Sequence, residues 1–292
     1  MQTSSTFLIS LQLMRVPNTF TALSNILAAQ LLVTQGALQW TPLLLLMAAS
    51  ACLYSGGIIL NDCFDLEEDR RERPSRPLPS GRIPVTTAWL SGFLLLAAGV
   101  LLAGLVSFKS MSVSIIIVAL VLLYDGYAKH TAAGSLVMGL CRYGNWLLGL
   151  SLGGDLADGW LLALPVLFYV TSLTILSKAE TGAEKRTPVL LCAGGIALTA
   201  ALIVVLNLIG QLPHTWALTL LAVAFLLISL RLLETYRSFS PARVQLAVKT
   251  LVLGIIPLDA ILVFAGGPWW GGLAVLALIV PGALLARIMY VT

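Results

Sequence analysis

Three aspartates and an asparagine in the stretch Asn61-Asp62-Cys63-Phe64-Asp65-Leu66-Glu67-Glu68-Asp69 follow directly on a long apolar run. Hard oxygen ligands in low number suit Mg²⁺, which commonly bridges one or two carboxylates to the phosphates of a substrate. On a helix of 3.6 residues per turn, Asn61, Asp65 and Asp69 recur at steps of four and share a face, with Asp62 beside them. A helix C-terminus carries partial negative charge and disfavours acids. The run of acids between 62 and 69 therefore predicts a compensating cation. A basic tail punctuated by prolines follows, with Arg70, Arg71, Arg73, Arg76 and Arg82. Arginine meets phosphate through a planar fork of N–H donors. Carboxylates at a membrane exit followed by arginines predict a site for a metal-bound, phosphorylated lipid. The bland alternative is a solvated loop of Asp/Glu and Arg neighbours, and it accounts poorly for the regular aspartate spacing and the stiff tail.

The elements that must hold these residues are membrane helices. The chain of 292 residues is 59% hydrophobic and 10% charged, with a mean hydropathy of +0.96. A soluble domain carries roughly 25% charged residues, so a water-soluble globule is excluded and a polytopic membrane protein is expected, as one domain over 1–292. Apolar runs long enough to cross a bilayer lie at about 19–36, 42–61, 84–107, 111–128, 134–153, 160–177, 187–210, 213–232, 246–266 and 269–290. The expectation is an all-α transmembrane bundle of nine to ten spans, the weakest being the run at 134–153, which contains Arg142 and several glycines, and the last, at 269–290. With a cytoplasmic N-terminus, every basic residue of the 17 except Lys109 and Arg142 falls in a cytoplasmic segment. That asymmetry fits the positive-inside rule and places any chemistry on the cytoplasmic face of the membrane, a bacterial inner membrane being the expected one. Trp269 and Trp270 read as interfacial anchors. Cys52, Cys63, Cys141 and Cys192 are scattered and read as apolar fillers.

At this point a family pattern emerges. Asn61-Asp62-x-x-Asp65-x-x-x-Asp69 followed by Arg73-Pro74-x-Arg76-Pro77-Leu78-Pro79-Ser80-Gly81 resembles the first aspartate-rich motif of the UbiA-type intramembrane prenyltransferases. Arg15-Val16-Pro17-Asn18, before the first span, is similar to the family's entry motif. Tyr124-Asp125-Gly126-Tyr127-Ala128-Lys129 is similar to its tyrosine-lysine segment. The resemblance implies a helical bundle whose cytoplasmic cap holds Mg²⁺ and the diphosphate of an isoprenyl donor, with transfer of the isoprenyl group to an acceptor. Asp62, Asp65 and Asp69, aided by Asn61, would hold the metal. Arg15, Asn18, Arg73, Arg76, Lys129, Arg142 and Lys178 would take the diphosphate. An apolar cavity would shield the allylic cation until the acceptor attacks.

The family's second aspartate motif is altered here. Its position reads Thr174-Ile175-Leu176-Ser177-Lys178-Ala179-Glu180-Thr181-Gly182-Ala183-Glu184-Lys185-Arg186, without an aspartate. One reading gives Glu180 and Glu184, four apart, a second Mg²⁺. A second gives charge compensation to Lys178 and Lys185. A third makes the site catalytically dead, in which case the chain is a non-catalytic isoprenoid or lipid carrier on the same fold. This divergence resembles the UbiA-like proteins encoded in ebo gene clusters. Arg142, inside a span, is a functional candidate by its cost alone, its expected partner being the diphosphate or a carboxylate of the acidic cluster. Asp259, mid-span after Pro257, reads either as a cap on a kinked helix or as part of the cavity lining, with a structural role favoured. No nucleotide-binding glycine loop is present, and no nucleic-acid partner is expected.

Overall fold

The computed structural model describes residues 6–153, 159–180 and 185–290, and all its regular elements are helical. A short α1 (Thr6–Leu13) precedes α2 (Val16–Val33) and α3 (Trp40–Phe64). The acidic and basic stretch forms α4 (Leu66–Glu72), after which α5 (Val85–Val106) and α6 (Phe108–Gly126) form a pair. Next come α7 (Gly134–Leu150) and α8 (Leu164–Ser177), then α9 (Thr187–Leu208) and α10 (Ala217–Arg237). The chain continues through α11 (Pro241–Leu253), α12 (Ile255–Gly266), α13 (Trp269–Ala277) and α14 (Ile279–Tyr290).

Among the described residues, nine helical segments are long and apolar enough to cross a membrane. Two of them are bent crossings, α11 with α12 and α13 with α14. Pro257 explains the first bend, since it removes a backbone donor and its ring crowds the carbonyl one turn earlier. Gly254 sits at that bend with no room for a Cβ beside the Tyr169 hydroxyl. Tyr169 in turn donates to the Leu251 carbonyl at 2.8 Å. The run expected at 134–153 is α7, which at 17 residues is not among those nine. It is nonetheless an inner helix, packed against α2, α6 and α8.

Helix α2 sits near the middle of the bundle, touching α3, α7, α12 and α14. Its buried face therefore mixes small and polar residues, including Ala22, Ser24, Asn25, Ala28 and Ala29. By contrast α10 is mostly exposed along its length, as expected of a helix facing lipid. The most extensive helix pair is α3 and α5. A Cβ on Gly56 would lie 2.9 Å from the Gly92 carbonyl oxygen, so these backbones touch directly. Near the exit of α3, Phe64 meets Trp89 edge to face at 4.9 Å between ring centroids. These contacts fix where the acidic stretch emerges.

Candidate active site

The four-residue stripe is real in backbone terms. Asp65 N–H bonds the Asn61 carbonyl at 2.9 Å, Asp69 N–H that of Asp65 at 2.8 Å, and Arg73 N–H that of Asp69 at 2.8 Å. The helix axis breaks at Asp65, whose ψ is 3°. Since α4 begins at Leu66, Glu67, Glu68 and Asp69 lie in a first turn, where the helix dipole favours acids. The electrostatic penalty expected from an uninterrupted helix end is thereby reduced.

The cations that offset the aspartates are the protein's own side chains. Arg15 Nη2 donates to Asp62 Oδ1 at 2.7 Å. Arg76 Nη1 donates to Asp69 Oδ2 at 2.6 Å and lies 3.6 Å from Asp62 Oδ1, so one guanidinium spans two acids. Arg73 approaches Asp69 at 3.9 Å. Lys129 Nζ pairs with Asp65. Asn61 Nδ2 donates to Asp125 Oδ1 at 2.7 Å. Asp62 and Asp69 are buried, whereas Glu67 and Glu68 are exposed. The aspartates face inward and the glutamates outward.

Two features hold the arginines in place. Arg15 adopts a left-handed backbone (φ 48°, ψ 46°) at the start of α2, a conformation that costs a non-glycine residue about 1–2 kcal/mol. Such strain is found where surrounding contacts over-determine the chain, and here the Asp62 bond is one of them. Leu78 buries itself with Leu13, Ile59, Cys63, Ile83 and Ala88. This pins the proline-rich tail back against α1, α3 and α5 and returns Arg76 to the acids. Sequence reasoning had given Leu78 only a place in the motif.

Below this cluster opens a cavity of about 340 Å³. Arg15, Asn18, Asn61, Tyr124 and Asp125 stand at its charged mouth, and Leu53, Ile117, Val121, Met138, Val170, Leu173 and Val252 make apolar wall. Deeper, Ser50, Tyr54, Arg142 and Asn145 form a polar patch that the sequence flagged only through Arg142. Arg142 donates to Thr21 Oγ1 at 2.8 Å and to Asn25 Oδ1 at 3.4 Å, and its guanidinium lies 4.8 Å from the Tyr54 ring centroid. The expected carboxylate partner from the acidic cluster is not among these contacts. Tyr54 precedes Asn61 by seven residues on α3, which puts Arg142 about 10 Å below the mouth at 1.5 Å per residue. A signal for the patch existed in the sequence: Asn145 lies three residues after Arg142, and polar groups inside a span are costly enough to be read as a set.

The opposite wall differs from expectation. The end of α8 supplies Thr174 and Ser177 to the cavity. Lys178 is exposed and donates to the Thr131 carbonyl at 2.9 Å. Glu180 is half-buried and lies within the electrostatic reach of Arg73 and Arg76. Burial pushes its carboxyl up, and those two arginines pull it back. Glu184 lies outside the described residues. Asp259 is fully buried and accepts from Ser24 at 2.5 Å, Asn25 at 2.8 Å and Trp146 at 3.0 Å. It is a structural anchor, as its position after Pro257 predicts.

The donor set at the mouth consists of oxygen ligands on Asn61, Asp62, Asp65, Asp69 and Asp125, which suits a hard divalent cation. Among the described residues, no three acidic, histidine or cysteine side chains converge into a ready-made cage. A cation held there needs oxygens from a second ligand, the usual condition for Mg²⁺ on phosphate substrates.

Comparison with known proteins accords with this arrangement. A relative from Saccharolobus solfataricus, digeranylgeranylglyceryl phosphate synthase, is 26% identical over 268 residues, covering 84% of this chain and 94% of the relative. The protein of the same name from Methanosarcina mazei is 35% identical over 128 residues, 43% of each chain. A solved digeranylgeranylglyceryl phosphate synthase superposes with a TM-score of 0.69 at 22% identity, covering 90% of this chain and 99% of that one. A UbiA homologue from Archaeoglobus fulgidus bound to GPP and Mg²⁺ superposes with a TM-score of 0.67 at 16% identity, covering 92% and 99%. The model of the UbiA prenyltransferase family matches residues 22–251. With its apolar helices and its charged, cavity-capping end, the chain is a multi-pass integral membrane protein that belongs to the UbiA prenyltransferase family.

Proposed function

We propose that this protein transfers an isoprenyl group from a polyprenyl diphosphate to an acceptor inside the membrane, with Mg²⁺. The observation that carries this reading is the cavity itself, whose charged mouth leads straight into apolar wall between α2, α3, α6, α7 and α8. A diphosphate with a hydrocarbon tail has the same division. Arg15, Arg73, Arg76 and Lys129 bind the diphosphate, a reading supported by the pairs they make with Asp62, Asp65 and Asp69. Bound Mg²⁺ supplies Lewis-acid stabilisation of the leaving group. Leu53, Ile117, Val121 and Leu173 exclude water from the allylic carbon, so that the acceptor rather than water captures it. The basic residues gathered at this end support a mouth that faces the cytoplasm, in a prokaryotic plasma membrane.

One observation favours a second reading, a carrier that binds the isoprenoid without turning it over. The end of α8 gives the cavity hydroxyls and no described carboxylate. Incubating the purified protein with Mg²⁺ and a radiolabelled allylic diphosphate, beside an Asp65→Asn variant, separates the two. Metal-dependent release of diphosphate that the variant loses supports transfer. Donor binding without release, across glycerol-phosphate and aromatic acceptors, would leave the carrier.

A further inference from the structure

We infer that Asp125 is a positioning residue for the metal centre: it fixes which end of the Asn61 side-chain amide is presented to the cation. This rests on the proposed Mg²⁺-dependent reading, with Asn61 among the ligands, and gives α6 a part in it.

The register of α3 against α6 carries the inference. A Cβ on Gly57 would lie 3.2 Å from Val121 Cγ1, so the two helices close on each other where α3 has no side chain. One turn further along, Asn61 Nδ2 donates to Asp125 Oδ1 at 2.7 Å. One turn beyond that, Lys129 pairs with Asp65. In all three rungs the partners are 64 residues apart. Steps of four along the end of α3 therefore meet steps of four along the end of α6 and the turn after it. The contact at Gly57 sets the register, and the register brings a carboxylate to the amide of Asn61.

The middle rung differs in kind from the outer one. Lys129 is the cation proposed to leave Asp65 for the diphosphate. Asp125 has no such second use, because a carboxylate repels a diphosphate. It is only 6% exposed, it lines the cavity, and one of its oxygens is engaged by a neutral amide. A carboxylate only accepts, whereas an amide has one donating end and one accepting end. Facing Asp125, Asn61 must turn its NH2 to α6. Its carbonyl oxygen is then the end left over, on a residue that lines the cavity and shares a face with Asp65 and Asp69. The opposite pose would set the partial positive charge of an NH2 against a cation. Among the described residues no ready-made cage of three acidic, histidine or cysteine side chains exists, so one misdirected oxygen is a large share of what the protein offers. Groups that orient a ligand without touching the metal commonly change its affinity by roughly ten- to a hundredfold.

The test is Mn²⁺ binding to the detergent-solubilised full chain, with free Mn²⁺ counted by electron paramagnetic resonance. It is run with inorganic pyrophosphate and, separately, with a non-hydrolysable thiolo-diphosphate analogue of the donor. Asp125→Asn should weaken Mn²⁺ binding by roughly tenfold or more, because an amide facing Asn61 lets it turn either way. Asn61→Ala should weaken it comparably. The double variant Asn61→Ala/Asp125→Asn should bind within about twofold of Asn61→Ala, the two residues acting as one unit. Loss of a nearby negative charge, or of a direct ligand, would instead persist in the Asn61→Ala background. The exchange Asn61→Asp/Asp125→Asn keeps the total charge, one donor towards the partner and one free oxygen, and should recover most of the affinity. Should Asp125→Asn fail to fold, the exchange is compared with Asn61→Ala alone. The inference is overturned if Asp125→Asn binds Mn²⁺ normally, if the two losses add, or if the exchange binds no better than Asn61→Ala. An analogue that fails to bind the unaltered protein sinks the donor reading, and the coupling of Asp125 to Asn61 is scored with pyrophosphate regardless.

Discussion

Four buried or half-buried aspartates of this protein live under two different regimes. Asp62, Asp65 and Asp69, at the cavity mouth, are each matched by a flexible cation from another segment. Asp259, enclosed among α2, α7 and α12, is held by the short donors Ser24, Asn25 and Trp146. Arginine and lysine on long stems can change partners at little cost. Three packed neutral donors cannot. The same carboxylate is thus exchangeable in one place and fixed in the other, and its donors show which is which.

Substitutions should separate the two regimes. The largest effect is expected at the mouth: Asp65→Asn should lower metal-dependent diphosphate release by about 10²–10³-fold with an unaltered melting temperature. A variant that unfolds instead would place Asp65 in the structural regime. Asp259→Ala should do the reverse. It leaves three buried donors unpaired and should cost roughly 2–4 kcal/mol, read as a lower unfolding midpoint in detergent. Next comes Arg76→Gln, which removes a cation shared by Asp62 and Asp69 and should raise the KM for the donor by about tenfold; an unchanged KM would remove Arg76 from the diphosphate cradle. The smallest change is Gly56→Ala, which pushes α3 from α5 and should cost about 1–3 kcal/mol. Its thermal shift should come with a smaller loss of turnover than at Asp65, since it moves the whole acidic stripe rather than deleting a ligand.

Much of this was legible in the sequence because membrane insertion leaves a strong imprint. Span positions, the acidic stripe and the arginine tail all follow from local spacing, and the stripe survives the break at Asp65 through its i,i+4 bonds. What the sequence could not reveal was pairing across the bundle. That Arg15 meets Asp62, 47 residues away, depends on a left-handed backbone at Arg15 that no local residue type demands. Arg142 was conspicuous as a charge in a span, but its partners Thr21, Asn25 and Tyr54 come from two other helices. The acidic cluster expected to pair with it is engaged elsewhere. The substitution of glutamate for aspartate after α8 was visible. That Glu180 stands by Arg73 and Arg76 required the fold.

The ion pairs at the mouth have a thermodynamic corollary. An anion arriving alone must draw Arg15, Arg76 and Lys129 off their acids and strand three carboxylates in a partly buried place. A divalent cation arriving alone must displace the same side chains and leave them without acceptors. When both come, each set of charges acquires a new partner and none is left bare. Binding of the two should therefore be strongly and reciprocally linked: each should tighten the other by the same factor, and a titration of either by itself should show weak affinity. If Asp62, Asp65 and Asp69 hold the metal and Arg15, Arg76 and Lys129 the diphosphate, the resting pairs should disfavour free metal and stray phosphate alike.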